Sequence, residues 1–276
     1  MKEYKIAYAK VNNAGDLFNE ALMDYFGVPF KKTDIIDASL VMLGGQLSTL
    51  ILSEQLKLRI KQQVRCVMCD TDLPLHIWGT GFLIGDVHGR YLRKNLAVHA
   101  LRGELTKAKL AEEIGYKGSP VLADPGLMAC EFVKRSITVS HRIGFIPHFR
   151  ELNLPVVKEI RDKWPELYFI DITQPYGKVL EDIKSCELII SSSLHGLIFA
   201  DSLGVPNKHI VLSDKIKGDG FKFRDYYSSF GVEDEPFVIQ NTEIPKEQEI
   251  YDSYKIEPKS VNAKVQGLID SFPKDL

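Results

Sequence analysis

Short apolar runs alternate with segments of helical spacing along most of this chain. The runs at 4–9, 39–43, 76–79, 97–102 and 121–122 read as buried strands. After a break the pattern resumes at 142–146, 167–171, 187–190 and 209–212. Helical spacing occupies 16–26, 48–62, 106–113, 155–164, 177–185 and 194–203. Strand–helix alternation of this kind predicts parallel sheets flanked by helices. Residues 129–141 lack a core pattern and carry charge, so a linker is expected there. The chain then divides into 1–132 and 133–276, an α/β protein of two Rossmann-like domains facing each other. A polar, aromatic segment at 215–231 and an amphipathic helix near 261–271 complete the second part.

The segment 186–207 is the most informative. Apolar Leu188-Ile189-Ile190 leads to Ser191, Ser192 and Ser193, then to Leu194-His195-Gly196 and a second apolar run, and ends at Gly204 and Pro206. This order predicts strand, tight turn, helix and stop, with serine oxygens capping the helix. His195 then lies in the first turn of a helix at the mouth of a parallel sheet, where open α/β proteins bind anions. The helix dipole disfavours an imidazolium there, and a bound phosphate reverses that bias.

Three more turns follow predicted strands. Asn13, Gly15 and Asp16 form the first; Gly15 permits a sharp turn and Asp16 can cap the helix or accept a hydroxyl proton. Arg102, ahead of Gly103-Glu104-Leu105-Thr106, is a permanent cation at a strand's carboxyl end, suited to a carboxylate or phosphate and equally to a surface ion pair. His148 and Arg150, after Ile146-Pro147, can bind an anion or stand in a solvated loop. Lys215, Lys217, Lys222 and Arg224, interleaved with Phe221, Phe223, Tyr226 and Tyr227, predict a flexible basic-aromatic loop able to close over an anionic ligand.

Composition narrows the function. With 276 residues, 45% hydrophobic and 26% charged, the chain can bury a full core. A net charge of −2 argues against a broad nucleic-acid surface. No apolar run approaches the roughly 18 residues of a spanning helix, and Met1-Lys2-Glu3 does not open like a signal peptide. Four cysteines suggest reduced thiols and a cytoplasmic protein, and Cys66 with Cys69 is a lone pair rather than a metal site. Gly79-Thr80-Gly81 misses the dinucleotide spacing, and there is no P-loop.

Together these segments resemble the polysaccharide pyruvyl transferase family, and within it the exopolysaccharide ketal branch. The resemblance rests on Asn13 to Asp16, Arg102 to Thr106, Ala123-Asp124-Pro125-Gly126, Ile146-Pro147-His148, Ser191 to Ile198 with Gly204-Val205-Pro206, and Lys222 to Tyr227. It implies a GT-B-like fold, phosphoenolpyruvate as co-substrate, no cofactor or metal, and a saccharide diol as acceptor, free or lipid-linked, converted to a cyclic ketal. For that reaction the residues suggest His195 as general acid, with the acid–base division between it and His148 left open, and Asp16 to orient or deprotonate the acceptor hydroxyl. The donor side is Ser191, Ser192, Ser193, Arg102, His148, Arg150 and Lys222, and the acceptor side is Asn13, Gly15 and Asp16. Many members carry arginine where this chain has Ser193, so a replacement cation is expected from Lys208, Lys222 or Arg224. A location in the cytoplasm, or peripheral at the inner face of the membrane with transient contact, fits such acceptors. The competing functions are a nucleotide-sugar glycosyltransferase and a non-catalytic sugar-binding protein.

Overall fold

The computed structural model describes residues 3–9, 11–52, 55–68, 73–216, 218–274 and 276. The first domain runs β1 (Tyr4–Ala7), α1 (Ala14–Tyr25), β2 (Phe30–Lys32), β3 (Leu40–Val41), α2 (Leu56–Met68), β4 (Leu75–Trp78), β5 (Leu96–Leu101), α3 (Glu104–Ile114) and β6 (Val121–Leu122). Its sheet has the order β2-β1-β3-β4-β5-β6, with every pair parallel. The second domain runs β7 (His141–Ile146), α4 (Pro155–Lys163), β8 (Tyr168–Phe169), α5 (Tyr176–Lys184), β9 (Cys186–Ser191), α6 (Leu194–Ser202), β10 (Asn207–Val211), α7 (Phe221–Ser228), β11 (Phe237–Val238), α8 (Glu247–Ser253) and α9 (Pro258–Ser271). Its sheet order is β11-β10-β9-β7-β8, again all parallel. The fold is α/β, two parallel sheets with alternating helices in two Rossmann-like halves that face across a cleft.

Both sheets reverse direction once. The chain steps from β1 out to β2 and returns on the other side as β3; it steps from β7 to β8 and returns as β9. Such switch points open a crevice at the carboxyl ends of the flanking strands. The turns after β1, β3, β7 and β9 therefore converge on one place.

The two domains share a core. Phe18 on α1 packs edge-on against Tyr176 of α5 and Phe199 of α6, with ring centroids 5.5 and 5.3 Å away. Ala14 at the start of α1 donates its N–H to the Ile172 carbonyl of the second domain at 2.7 Å. A buried ion pair adds a polar link: Arg102 Nε, at the end of β5, donates to Asp225 Oδ2 on α7 at 2.8 Å. Asp225 also accepts the Thr106 N–H and the Thr106 hydroxyl, each at 2.7 Å, and so caps α3 from across the interface.

Several elements differ from their sequence expectation, for identifiable reasons. The helix expected over 48–62 is a 3₁₀ turn at Leu47–Leu50, an isolated bridge from Ile51 to Tyr91, and then α2. The expected linker begins later, because Pro125–Phe132 forms a 3₁₀ helix capped by the Asp124 carboxylate on the Gly126 N–H, and it packs on α6. The segment 215–231 is not a flexible loop: its centre is α7, with Lys222, Phe223, Asp225, Tyr226 and Tyr227 buried. Lys217 and Cys69 lie outside the described residues. The strands β2 and β11 and the helix α8 are too short to show a period. The last helix, α9, crosses back to the first sheet: the Trp78 indole donates to the Leu268 carbonyl at 3.0 Å, and Phe272 stacks on Phe26 at 3.7 Å.

The ion pair generates a stability prediction. Asp225→Ala leaves Arg102 buried without its anion and should destabilise the fold by about 3–5 kcal/mol in urea unfolding, with Arg102→Met added to Asp225→Ala recovering part of that loss.

Candidate functional site

A cleft of about 280 Å³ lies between the domains at the two switch points. The first domain lines it with Asn13, Asp16, Gly44, Gln46 and Arg102, among others, and the second with His148, Arg150, Ser193, His195 and Lys222. Asn13 is the N-cap of α1: its Oδ1 accepts the Asp16 N–H at 3.0 Å, and its amide donates to the Asp16 carboxylate. Asp16 thus sits in the first turn rather than capping it. Burial pushes its carboxyl up to about 6, against the lowering effect of Asn13 and of the Lys32 and Lys222 charges. Gly15 is where the domains touch. A Cβ there would stand 1.9 Å from His195 Nδ1, so the imidazole rests on bare backbone of the opposite domain.

The triple-serine turn works differently from its sequence expectation. The N-cap of α6 is Ser193, and its side chain makes no cap bond. Ser191 Oγ accepts the Ser193 N–H at 2.9 Å and donates to the Ile146 carbonyl, also at 2.9 Å. Ser192 Oγ accepts the His148 N–H at 2.9 Å and donates to Glu151. Two of the three hydroxyls thus brace the loops, and Ser193 alone of the three lines the cleft. The Ser192 N–H is taken by Ile146. The amides left to a ligand are those of the first turn of α6, at Leu194, His195 and Gly196, because intrahelical bonding starts at Leu197.

Both histidines are held neutral. His195 is pushed down to about 3, by burial first and then by the Lys222 and Arg102 charges. Its Nε2 is buried with no hydrogen-bond partner, an orphan of the kind that a ligand or an ordered water satisfies. His148 is also pushed down to about 3, by burial, Lys222, Arg150 and His195. Its Nδ1 accepts the Arg150 N–H at 3.3 Å, so the neutral ring carries its proton on Nε2.

The cations separate clearly. Arg102 is only 1% exposed; its Nε is paired with Asp225 and one Nη donates to the Phe82 carbonyl at 2.5 Å. It borders the cleft chiefly as a structural charge. Arg150 is exposed at the rim. Lys222 lines the cleft with its ammonium 5.0 Å over the Phe223 ring, in no ion pair among the described residues. Burial first, then the Arg102 and Arg150 charges, lower Lys222 to about 8 against the opposing pull of Glu151 and Asp16. Of the three candidate replacement cations only Lys222 reaches this cleft. Lys208 lines a separate cavity beside Asn207, and Arg224 turns to Asp219. Among the described residues no group of three or more His, Cys, Asp or Glu side chains could hold a metal ion.

Sequence reading missed Glu151. It is fully buried and receives Ser192 Oγ at 2.5 Å and Ser213 Oγ at 2.6 Å. It thereby ties together the turns after β7, β9 and β10. Its position directly after Arg150 was the available signal, but its partners lie 41 and 62 residues away.

Comparison with known proteins bears on this geometry. The family model described as polysaccharide pyruvyl transferase matches residues 13–213, from the turn after β1 to just past β10. The chain is 30% identical over 239 residues to uncharacterized protein L143 of Acanthamoeba polyphaga mimivirus, covering 84% of this chain and 76% of that protein. It is 28% identical over 163 residues to the succinoglycan biosynthesis protein ExoV of Rhizobium meliloti (strain 1021), covering 56% of this chain and 47% of that protein. Among solved structures, the heptosyltransferase WaaC of E. coli with ADP-2-deoxy-2-fluoro heptose aligns over 98% of this chain and 100% of that one, at 11% identity and a TM-score of 0.34. The family match spans both halves of the cleft, and on that match this chain belongs to the polysaccharide pyruvyl transferase family.

Proposed function

We propose that this protein transfers the pyruvyl group of phosphoenolpyruvate to two hydroxyls of a saccharide, releasing inorganic phosphate and leaving a cyclic ketal. The observation that carries this reading is the meeting of Asp16 and His195, from opposite domains, in one cleft walled by Lys222 and Arg150. The acceptor is a polysaccharide unit or its lipid-linked precursor. ExoV, a relative named for succinoglycan biosynthesis, supports that class of acceptor.

The donor carries a phosphate and a carboxylate. Lys222, Arg150, the Nε2–H of His148 and the free amides of the first turn of α6 supply the charge and donors such an anion needs. With the anion bound, the field on His195 reverses and the imidazole can hold a proton. His195 gives that proton to the methylene carbon of the donor, and C2 becomes a cationic centre. An acceptor hydroxyl adds to C2 and its proton passes to Asp16. The C2–O bond to phosphorus then breaks, and phosphate leaves with the electron pair. The second hydroxyl closes the ring. Of the two hydroxyl protons, one replaces the proton spent on the methyl group and the other leaves with phosphate. His148 is the weaker candidate for the acid, because protonating its Nδ1 forfeits the bond from Arg150.

Phosphate release from phosphoenolpyruvate in the presence of galactose, glucose or mannose derivatives, with mass spectrometry of the product, tests the reaction. His195→Ala should lower turnover by roughly 10²–10⁴ while the circular dichroism spectrum is unchanged. Heat of binding with a nucleotide sugar and none with phosphoenolpyruvate would instead make the protein a glycosyltransferase.

Gly15→Ala should also cut turnover sharply, since its Cβ would occupy the imidazole's position, and should leave donor binding measurable by calorimetry.

Lys222 sets a pH dependence. Its charged form binds the donor, and that form is lost as pH rises through about 8. Donor affinity should be level below that pH and weaken above it by up to about tenfold per pH unit. Lys222→Arg, whose guanidinium stays charged, should remove the decline. A wild-type affinity unchanged to pH 9.5 would exclude Lys222 from the donor site.

A further inference from the structure

Helix α2 is built unlike any other in the molecule. Its sequence from Leu56 to Met68 holds four cations, Lys57, Arg59, Lys61 and Arg65, and no acid, in a chain of net charge −2. Ile60 and Val64, one helical turn apart, are 51% and 52% exposed. Helical spacing puts Ile60 and Val64 about 40° apart around the axis, in one row. The half-buried side of the helix carries Gln62 and Cys66, and the Cys66 thiol donates to the Leu92 carbonyl at 3.7 Å. Ile60 and Val64 face away from the domain, and Leu58, on another side of the helix, is exposed as well at 45%. Lys61 follows the row on one flank and Arg59 on the other, both exposed and in no ion pair among the described residues. Leu73, in the segment leading to β4, is a further exposed aliphatic at 56%.

We infer that α2 is a docking element for an anionic lipid surface. An outward apolar row flanked by cations is the pattern of a helix that lies in a membrane interface, with its aliphatics among the acyl chains and its cations against the headgroups. Charge selects this occupant. A second copy of α2 would set like cations against each other, and a nucleic acid would leave the aliphatics without an apolar partner. No helix among the described residues is long and apolar enough to cross a membrane, so the contact is peripheral. The placement is also telling. Thr49 lines the cleft and α2 starts seven residues later, at most about 25 Å of chain away. Docking would bring the Asp16 side of the cleft close to the headgroups, where a lipid-linked saccharide is presented. That last link rests on the pyruvyl-transfer reading; the docking itself rests on α2 alone.

Sedimentation with vesicles tests it. The protein should pellet with vesicles of phosphatidylcholine mixed with phosphatidylglycerol, remain in solution with phosphatidylcholine alone, and detach as salt is raised. Arg59→Glu with Lys61→Glu should reduce the bound fraction by about tenfold or more, and Ile60→Ser with Val64→Ser should abolish pelleting. These exposed substitutions should leave the melting temperature and phosphate release with a water-soluble acceptor unchanged. A protein that stays in the supernatant with anionic vesicles overturns the inference, as do variants that pellet like the wild type. A dimer in analytical ultracentrifugation that Ile60→Ser with Val64→Ser dissolves, without vesicle binding, assigns the row to self-association instead. A wild-type protein that never binds anionic vesicles yet turns over a soluble acceptor refutes the docking and spares the pyruvyl-transfer reading; a wild-type protein that binds them but releases no phosphate from phosphoenolpyruvate does the opposite.

Discussion

Arg102 and Asp225 are both out of water, and neither could be buried without the other. They come from different domains, so their pairing sets where α7 lies against the first sheet. The fit is tight. A Cβ on Gly103 would stand 1.7 Å from the Asp225 carbonyl oxygen, and one on Gly81 would stand 2.6 Å from Arg102 Nη2. Lys222 is one turn ahead of Asp225 on the same helix, so the position of the cleft's free ammonium follows from the pair. The cleft is in this sense a consequence of interdomain packing rather than of either domain alone.

The histidine at the centre of the cleft is positioned by the helix that carries it, and that helix is held at both ends. At its start the Ser191–Ser193 turn is fastened to β7 through the Ile146 carbonyl. At its end Asp201 accepts the Tyr226 and Tyr254 hydroxyls at 2.7 and 3.0 Å and the Asn207 amide at 2.6 Å. Burial pushes Asp201 up to about 7 against these three donors. The 3₁₀ helix over 125–132 supports the same helix from the first domain: Ser202 Oγ donates to the Leu127 carbonyl at 2.5 Å. With so many fixed contacts the helix has little freedom to move, and the imidazole is carried on a rigid element.

The electrostatics of the cleft favour an anion. Two neutral imidazoles and a lysine lowered to about 8 report a site poor in water and rich in positive charge, whereas the raised Asp16 carboxyl reports burial, which the neighbouring cations oppose. An anion bound there would favour protonation of the imidazoles and the lysine together. Glu151, buried behind Ser192, supplies part of the balancing charge from a distance and keeps the lysine from falling further.

Local pattern was enough to reveal much of this protein. Alternation of apolar runs and helical spacing marked nine of the eleven strands found among the described residues, because a buried parallel strand must be apolar on both faces. The order serine, leucine, histidine, glycine after β9 marked the turn that bears His195, since strand-to-helix turns at a sheet's carboxyl edge have few workable sequences. What stayed hidden was every feature with a distant partner. Arg102 read equally as an anion-binding cation or a surface ion pair, and its buried pairing was hidden because Asp225 lies 123 residues away. The segment around Lys222 looked like a loop because its glycines are local and the tertiary contacts that make it a helix are not. The three serines looked like caps, and only the packing of β7 beside β9 turned two of them inward. Sequence by itself determined the two sheets and the turns whose side chains line the cleft, because those follow from periodicity and short-range turn chemistry. Tertiary structure alone decided which cation faces the cleft, which hydroxyls are spent on support, and which helix was left with an apolar row facing outward, because burial and pairing depend on chains brought together from far apart.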